Sequence, residues 1–160
     1  MPKGVPPLSL FRTVARNRRV FERFMAAGLL DKGTLTLRER EIVIDRTTAR
    51  CGSEYEWGVH IAFFREKAGL SDREVAATVG DDPLAWSDRD RLLISLVDQL
   101  HDRSTVDADL WQALTQAFSD EQLIELVVLT GFYHMVSYVT NAFAVPLEPF
   151  AARFPAPASD

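Results

Sequence analysis

The chain has 160 residues, of which 47% are apolar, and its 23 acidic and 18 basic side chains give a net charge of -5. A chain of this length can bury a core without disulfides, and its single cysteine cannot form an intramolecular one. The acidic balance argues against nucleic acid or a membrane surface as partners, because both attract cationic proteins.

The N-terminal segment does not look like a secretory signal, because arginines interrupt its first apolar stretch. Residues 126–145 carry no charged side chain and are long enough to cross a membrane. However, Thr130, Asn141 and other polar residues lie within them, and acids rather than basic residues flank them. We therefore predict a cytoplasmic protein in which this segment is a helix buried in protein or at a subunit interface.

Apolar periodicity and capping residues predict an all-α fold of about seven helices. Five helix starts carry a serine or threonine three positions before an acid or amide, which is the pattern of a capping box. These pairs are Thr36–Glu39, Ser53–Glu56, Ser71–Glu74, Ser87–Asp90 and Ser119–Gln122. Gly28, Gly69 and Gly80 lie where helices commonly end. The predicted helices lie near 9–27, 37–50, 54–68, 72–79, 88–102, 108–118 and 120–144.

Nothing in the sequence divides the chain into separate domains. We predict a helical extension over residues 1–35, a core over 36–145 and a proline-rich tail over 146–160, packed together as one domain. Helices 37–50 and 120–144 are the most apolar and are expected to be central.

Glu41 is the first candidate functional residue. It shares a helical stripe with Leu37, Ile44 and Thr48, and a carboxylate on a buried stripe is costly unless it is paired. Burial could raise its pKa and make it a general acid or base. The alternative is an ion pair with Arg38 or Arg65.

The start of helix 54–68 carries a second candidate group. Ser53, Glu56, Trp57 and His60 follow helical spacing, and Glu56 lies one turn from His60, where it could orient the imidazole and raise its pKa. The alternative for Glu56 is the capping box with Ser53.

A third candidate is a polar stripe in the last helix, formed by Thr130, His134, Ser137 and Asn141. These side chains could donate hydrogen bonds to a carbonyl or enolate oxygen opposite Glu41 and His60. A network between helices or a subunit contact would use the same residues.

Metal or nucleotide chemistry has little support in the sequence. The three histidines show no paired ligand spacing on one helix, and Glu56 with His60 makes only two ligands. His101 lies on an acidic helix end beside Asp102 and is expected at the surface. No glycine-rich loop joins a strand to a helix. We therefore predict neither a metal nor a cofactor.

The chain resembles the carboxymuconolactone decarboxylase and alkylhydroperoxidase-D-like family, whose members are all-helical homo-oligomers. The resemblance covers most of the chain and is densest over residues 35–80, through LTLREREIVIDRTTARCGSEYEWGVH and AGLSDREVAATVG, and continues in LIELVVLTGFYHMVSYVTNAF. A glutamate on one helix and YEWxxH opening the next carry it.

The departure from the family pattern concerns the redox cysteines. Peroxidase-type members have C-x-x-C-x-x-x-H with a glutamate nineteen residues before the histidine. Anchored on His60, that pattern places the glutamate at Glu41 and the cysteines at Ser53 and Glu56. Two-cysteine peroxidase chemistry is therefore excluded within one chain, since Cys51 has no resolving partner.

The resemblance then implies the decarboxylase branch, in which an acid, a base and hydrogen-bond donors manage protons without a cofactor. It implies a small lactone or keto acid as substrate, with decarboxylation or isomerisation as the reaction. His60 and Glu41 would form the acid/base pair, and Glu56 would orient His60. The candidate substrate-binding residues are Ser53, Tyr55, Trp57, Tyr133, His134 and Asn141, with Trp57 and Tyr55 shaping an apolar pocket.

Two other functions remain open. Cys51 alone could reduce peroxide if its thiol pKa were depressed by Arg50 and a helix N-terminus. The protein could also be a non-catalytic oligomer that binds a small apolar acid. In every case the large apolar fraction and the uncharged last helix predict self-association.

Overall fold

A computed structural model describes residues 7–155, and within that range the chain is all-helical, as predicted. It has eight α-helices and one 3-10 turn. The helices are α1 (Ser9–Val14), α2 (Arg18–Ala26), α3 (Leu37–Arg50), α4 (Glu54–Ala68), α5 (Asp72–Val79), α6 (Asp88–Arg103), α7 (Ala108–Ala117) and α8 (Asp120–Ala142), with the 3-10 turn at Pro83–Ala85 between α5 and α6.

The first predicted helix, 9–27, is in fact two helices. Helix α1 ends at Val14, and α2 begins at Arg18 after Asn17, whose side chain accepts a hydrogen bond from the Val20 N–H. Asparagine at this position favours a capped helix start over a continuous helix, because its side chain replaces a backbone partner. Helical periodicity alone did not reveal this break.

Most of the predicted helix starts are capped as expected. Three form the full reciprocal box, at Thr36–Glu39, Ser71–Glu74 and Ser119–Gln122. Ser87 accepts from the Asp90 N–H. The box predicted between Ser53 and Glu56 is wrong, because Ser53 makes no side-chain cap and its Oγ lies 2.7 Å from Thr140 Oγ1. Glu56 is therefore free for another role.

Of the three glycines expected at helix ends, Gly69 has the left-handed conformation, with φ at +67°. Gly80 follows α5 in an extended conformation, and α2 ends before Gly28. The left-handed residue after α2 is Leu29, with φ at +38°.

Helix α3 is the centre of the fold. It packs against α4, α5, α6 and α8, and Ile42, Val43 and Ile44 are fully buried within it. Helix α8 buries one face, which includes Leu126 and Leu129, while its opposite face is exposed. By length and composition α8 could cross a membrane, yet 44% of its most apolar window is buried inside the protein.

The segment after α8 packs against α4. The Ala152 N–H donates to the Gly58 carbonyl over 3.0 Å, and this close approach leaves no room for a Cβ at Gly58. The Phe154 ring lies 5.1 Å from the Trp57 ring, centroid to centroid. The described part of the tail thus covers α4.

Tyr55 connects both ends of the chain to α4, and we expect Tyr55→Phe to destabilise the fold. Its hydroxyl accepts from the Leu10 N–H at 3.1 Å and donates to the Glu148 carboxylate at 2.8 Å. Loss of the hydroxyl leaves a buried N–H unpaired, so the free energy of unfolding in urea should fall by about 1–3 kcal/mol. Tyr138→Phe is the matched control, since Tyr138 is exposed and should change stability by less than about 0.5 kcal/mol. Equal stability of the two variants would contradict this role.

Candidate functional site

The site is built around an ion pair between α3 and α4. His60 Nδ1 lies 2.7 Å from Glu41 Oε2, and both side chains are buried. Arg40 Nε donates to the other Glu41 oxygen over 3.0 Å. The arginines proposed from the sequence are not the partners, because Arg38 and Arg65 pair with carboxylates on α5 and α6. Glu41 is thus held between two cationic groups.

The second imidazole nitrogen faces α8 and the start of α4. His60 Nε2 lies 3.1 Å from the Tyr133 hydroxyl and 3.5 Å from Glu56 Oε1. The other Glu56 oxygen is buried without a hydrogen-bond partner. Three helices therefore bring Glu41, Glu56, His60 and Tyr133 into one cluster.

The charges of this cluster favour a protonated imidazole. Burial lowers the pKa of His60, but hydrogen bonds to Glu41 and Glu56 and the charges of both carboxylates outweigh burial and raise the pKa to about 10. Burial, with the charges of Glu56 and Glu41, also raises the pKa of Tyr133 well above its usual value. Near neutral pH, His60 is therefore an imidazolium ion and Tyr133 a phenol.

A cavity of about 340 Å³ opens beside Glu56 and Tyr133. Its wall is mostly apolar and comes from α1, α2, α8 and the turn after α2, with Glu56 contributed by α4. Among the described residues that line it, Asp31 and Glu56 are acidic and none is basic. The lining residues are Leu10, Phe11, Phe24, Met25, Ala26, Gly28, Leu29, Leu30, Asp31, Glu56, Phe132, Tyr133 and Val136.

Three residues expected to bind substrate lie elsewhere. Trp57 Nε1 donates to Thr78 Oγ1 over 2.9 Å, and the Tyr55 hydroxyl connects chain segments, so neither shapes the cavity wall. Ser53 is fully buried against α8. The sequence prediction failed because consecutive helical residues point about 100° apart, so Trp57 faces α5 while Glu56 faces the cavity.

The polar stripe of α8 does not face Glu41 and His60 as expected. Thr130 and Ser137 donate to carbonyls one turn earlier in their own helix. His134 Nε2 lies 3.0 Å from His101 Nδ1, and Asn141 donates to the backbone carbonyl of Cys51. Tyr133, one residue before His134, is the α8 group that reaches His60. His101, expected at the surface, is half-buried beside His134.

Two residues of the cluster, Arg40 and Asp45, were not predicted from the sequence. Asp45 lies one turn after Glu41, is buried, and has an Oδ1 without a hydrogen-bond partner. Burial, reinforced by the Glu41 charge and opposed by His60, raises the pKa of Asp45 well above its usual value. The spacing of four residues from Glu41 was the signal that could have identified it.

Cys51 lies outside this cluster, at the end of α3. Burial raises the pKa of its thiol, despite the nearby Ser137 hydroxyl and the charge of Arg50. A peroxide-reducing cysteine needs the opposite shift, because the thiolate is the nucleophile.

The His60 imidazolium should make stability fall as pH rises. The folded pKa, about 10, lies above the ordinary value of 6.5, so this stabilisation is complete below pH 6.5 and is lost as pH rises through 10. Between pH 7 and 9.5 we expect His60 to contribute a decrease of about 1 kcal/mol in unfolding free energy per pH unit. Urea unfolding of wild type and His60→Gln at several pH values measures this as the difference between the two slopes.

His101→Gln is the matched control for that comparison. Burial and then the charge of Arg50 lower the pKa of His101, so its removal should leave the slope above pH 7 unchanged. Identical slopes in wild type and His60→Gln would mean that His60 is neutral at pH 7.

Comparison with known proteins agrees with this architecture. The sequence profile of the carboxymuconolactone decarboxylase family matches residues 17–86, which include Glu41, Ser53, Glu56 and His60. No curated protein matches the sequence significantly.

Solved structures share the fold at low sequence identity. A peroxidase-related protein from Silicibacter has a TM-score of 0.76 and 20% identity, covering 88% of this chain and 76% of its own. A proposed antioxidant-defence protein from Agrobacterium tumefaciens has a TM-score of 0.76 and 18% identity, covering 84% and 94%. An alkylhydroperoxidase core protein from Ralstonia eutropha has a TM-score of 0.75 and 24% identity, covering 88% and 77%.

Proposed function

Because the chain belongs to the carboxymuconolactone decarboxylase and alkylhydroperoxidase-D-like family, we propose that it catalyses acid/base proton transfer on a small, neutral carbonyl compound such as an unsaturated lactone. One observation carries the proposal: Glu56 and Tyr133 line the same apolar cavity, and both contact His60. A cavity of about 340 Å³ suits a small ligand. The reaction uses protons held by side chains and needs no cofactor.

The two groups at the cavity have complementary roles. The Glu56 carboxylate at the cavity removes a proton from the carbon next to the carbonyl and returns it to another carbon, which isomerises the double bond. The Tyr133 hydroxyl donates to the carbonyl oxygen as negative charge develops there. His60 donates its Nε2–H to Tyr133 and so strengthens that donor.

This assignment changes the roles expected of the two glutamates. Glu41 contacts Nδ1 of His60 and does not line the cavity, so it orients the imidazolium and balances its charge. Glu56 lines the cavity and is the group that exchanges a proton with the substrate.

The charge of the cavity favours isomerisation over decarboxylation. A keto acid or lactone acid would bring its carboxylate beside Asp31 and Glu56, with no basic side chain among the described lining residues. Burying an anion without a counterion is costly. Decarboxylation remains the second candidate, with Tyr133 passing its proton to the dienolate carbon after loss of CO₂ and taking one from His60 Nε2.

Lactone isomerisation in D₂O tests the proposal. We expect wild type to move the double bond of α-angelica lactone and to incorporate deuterium, as followed by NMR. Glu56→Gln should reduce the rate by about 100-fold or more, because it removes the base. Tyr133→Phe should reduce it by about 100- to 1000-fold, because it removes the oxyanion donor.

Glu54→Gln is the matched control. Glu54 lies two residues earlier on α4, contacts the tail through the Phe154 N–H, and should keep the wild-type rate. A wild-type rate in Glu56→Gln would refute the proton-transfer role. CO₂ release from a lactone acid would favour decarboxylation, peroxide consumption lost in Cys51→Ser would favour the peroxidase, and a lactone that raises the Tm but is recovered unchanged would favour a binding protein.

We also propose that the chain forms a homo-oligomer through the exposed face of α8, and that it acts in the cytoplasm. Ile124, Val128, Met135 and Tyr138 follow helical spacing and are 66%, 52%, 40% and 64% exposed, with Gly131 between them. This stripe carries no charge and is typical of an interface. A second copy is the favoured occupant, because a two-fold axis can pack one such stripe against itself.

Val128→Asp should weaken this association. The aspartate would bury a charge at the interface without a partner, so light scattering at micromolar concentration should show a smaller mass than wild type. The exposed Leu84, in the 3-10 turn, offers Leu84→Asp as the control that keeps the wild-type mass. A monomeric wild type would contradict the proposal.

A further inference from the structure

A second cluster of reactive side chains shares no residue with the cavity wall. Cys51 at the end of α3, His101 on α6 and His134 on α8 place one sulfur and two nitrogens within 4.8 Å of one another. Cys51 and His101 are 50 residues apart in the sequence, and His101 and His134 are 33 residues apart, so the packing of the helices brings them together. All three are half-buried, so solvent can reach them.

We propose that Cys51, His101 and His134 bind a zinc-class divalent ion, with a fourth coordination position left to water or a small ligand. Thiolate and imidazole are the ligands such ions prefer, and three protein ligands with an open position are typical of reactive zinc sites.

The distances fit a tetrahedral ion. Zn–N bonds of about 2.0–2.1 Å and Zn–S bonds of about 2.3 Å would place two nitrogens roughly 3.3 Å apart and a sulfur and a nitrogen roughly 3.6 Å apart. The observed separations are 3.0 Å between His101 Nδ1 and His134 Nε2, and 3.9 Å between Cys51 Sγ and His101 Nδ1. The third pair, Cys51 with His134, lies within 4.8 Å. Side-chain shifts of up to about 1 Å would complete the geometry.

A hydrogen bond to the backbone holds His134 in the tautomer that can bind a metal through Nε2. Its Nδ1–H donates to the Thr130 carbonyl over 2.9 Å, so Nε2 carries the lone pair that points at the cluster. A backbone carbonyl on the far nitrogen is the usual outer partner of a metal-bound imidazole. The Nδ1–H of His101 donates to that lone pair, and metal binding would move this proton to His101 Nε2.

The charge and space around the cluster also permit an ion. Arg50 is the nearby cation, and Asp98, at 3.6 Å, and Asp102 balance it. Binding of M²⁺ releases one proton from the Cys51 thiol and forms the metal–sulfur bond. His134 also lines a surface cavity of about 270 Å³, which offers room for the fourth ligand.

Cobalt titration of the full-length, reduced protein tests the site. We expect one Co²⁺ per chain, a thiolate-to-cobalt charge-transfer band, the visible bands of tetrahedral cobalt, and loss of all of them on adding Zn²⁺. Zn²⁺ should also raise the Tm of wild type, because it binds the folded state. Cys51→Ser should abolish the charge-transfer band, and His134→Gln should weaken binding by at least roughly 10- to 100-fold.

His60→Gln is the matched control, since it removes the histidine of the other cluster. It should leave cobalt binding and its spectrum unchanged, whatever its effect on lactone isomerisation. The proposal is overturned if wild type gives no charge-transfer band, if Cys51→Ser keeps it, or if His60→Gln loses it while keeping the wild-type far-ultraviolet circular dichroism. The spectrum separates this result from a failure of the proposed proton-transfer activity.

Discussion

The Glu41–His60 ion pair is the interaction on which the rest of the site depends. A carboxylate with no exposed surface is tolerated in a protein interior only when its charge is matched and its oxygens are hydrogen-bonded. His60 satisfies one oxygen and Arg40 the other. Helix α3 packs against four other helices. Because the ion pair joins α3 to α4, it also fixes how α4 packs against α3.

This pairing determines what the second imidazole nitrogen can do. With Nδ1 committed to Glu41, the proton on Nε2 is directed toward Tyr133 and Glu56. Burial and the Glu41 charge raise the pKa of Asp45, also buried beside the pair, which disfavours a further negative charge in the cluster. The imidazolium ion therefore contacts Glu41 through Nδ1 in the protein interior, and it contacts Tyr133 and Glu56 through Nε2 beside the cavity.

Three consecutive residues of α8 lie in three different environments. Tyr133 reaches His60, His134 reaches the cysteine-histidine cluster, and Met135 points to the exposed face. The rotation of about 100° per residue accounts for this separation. Tyr133 and His134 were predicted from the sequence to line the same pocket, although consecutive residues of a helix point in different directions.

The sequence predicted the fold and the unusual burial of Glu41 because both depend on local periodicity. It could not predict that Ser53 would bond to Thr140 rather than cap α4, because that competitor lies 87 residues away. The same limit hid the cluster of Cys51, His101 and His134, whose members lie on three helices. Local patterns identified helices and buried charges, while tertiary contacts decided which side chains meet.

The positions of Cys51 and Glu56 explain why the cavity is better suited to proton transfer than to thiol–disulfide redox chemistry. Ser53 and Glu56 occupy the positions of the two cysteines of peroxidase-type members. Ser53 is buried against α8, and of these two residues Glu56 lines the cavity. A carboxylate there exchanges protons and cannot cycle through a disulfide. Cys51 lies beside two imidazoles, where burial disfavours the free thiolate. A bound metal would supply the positive charge that a thiolate at this position requires.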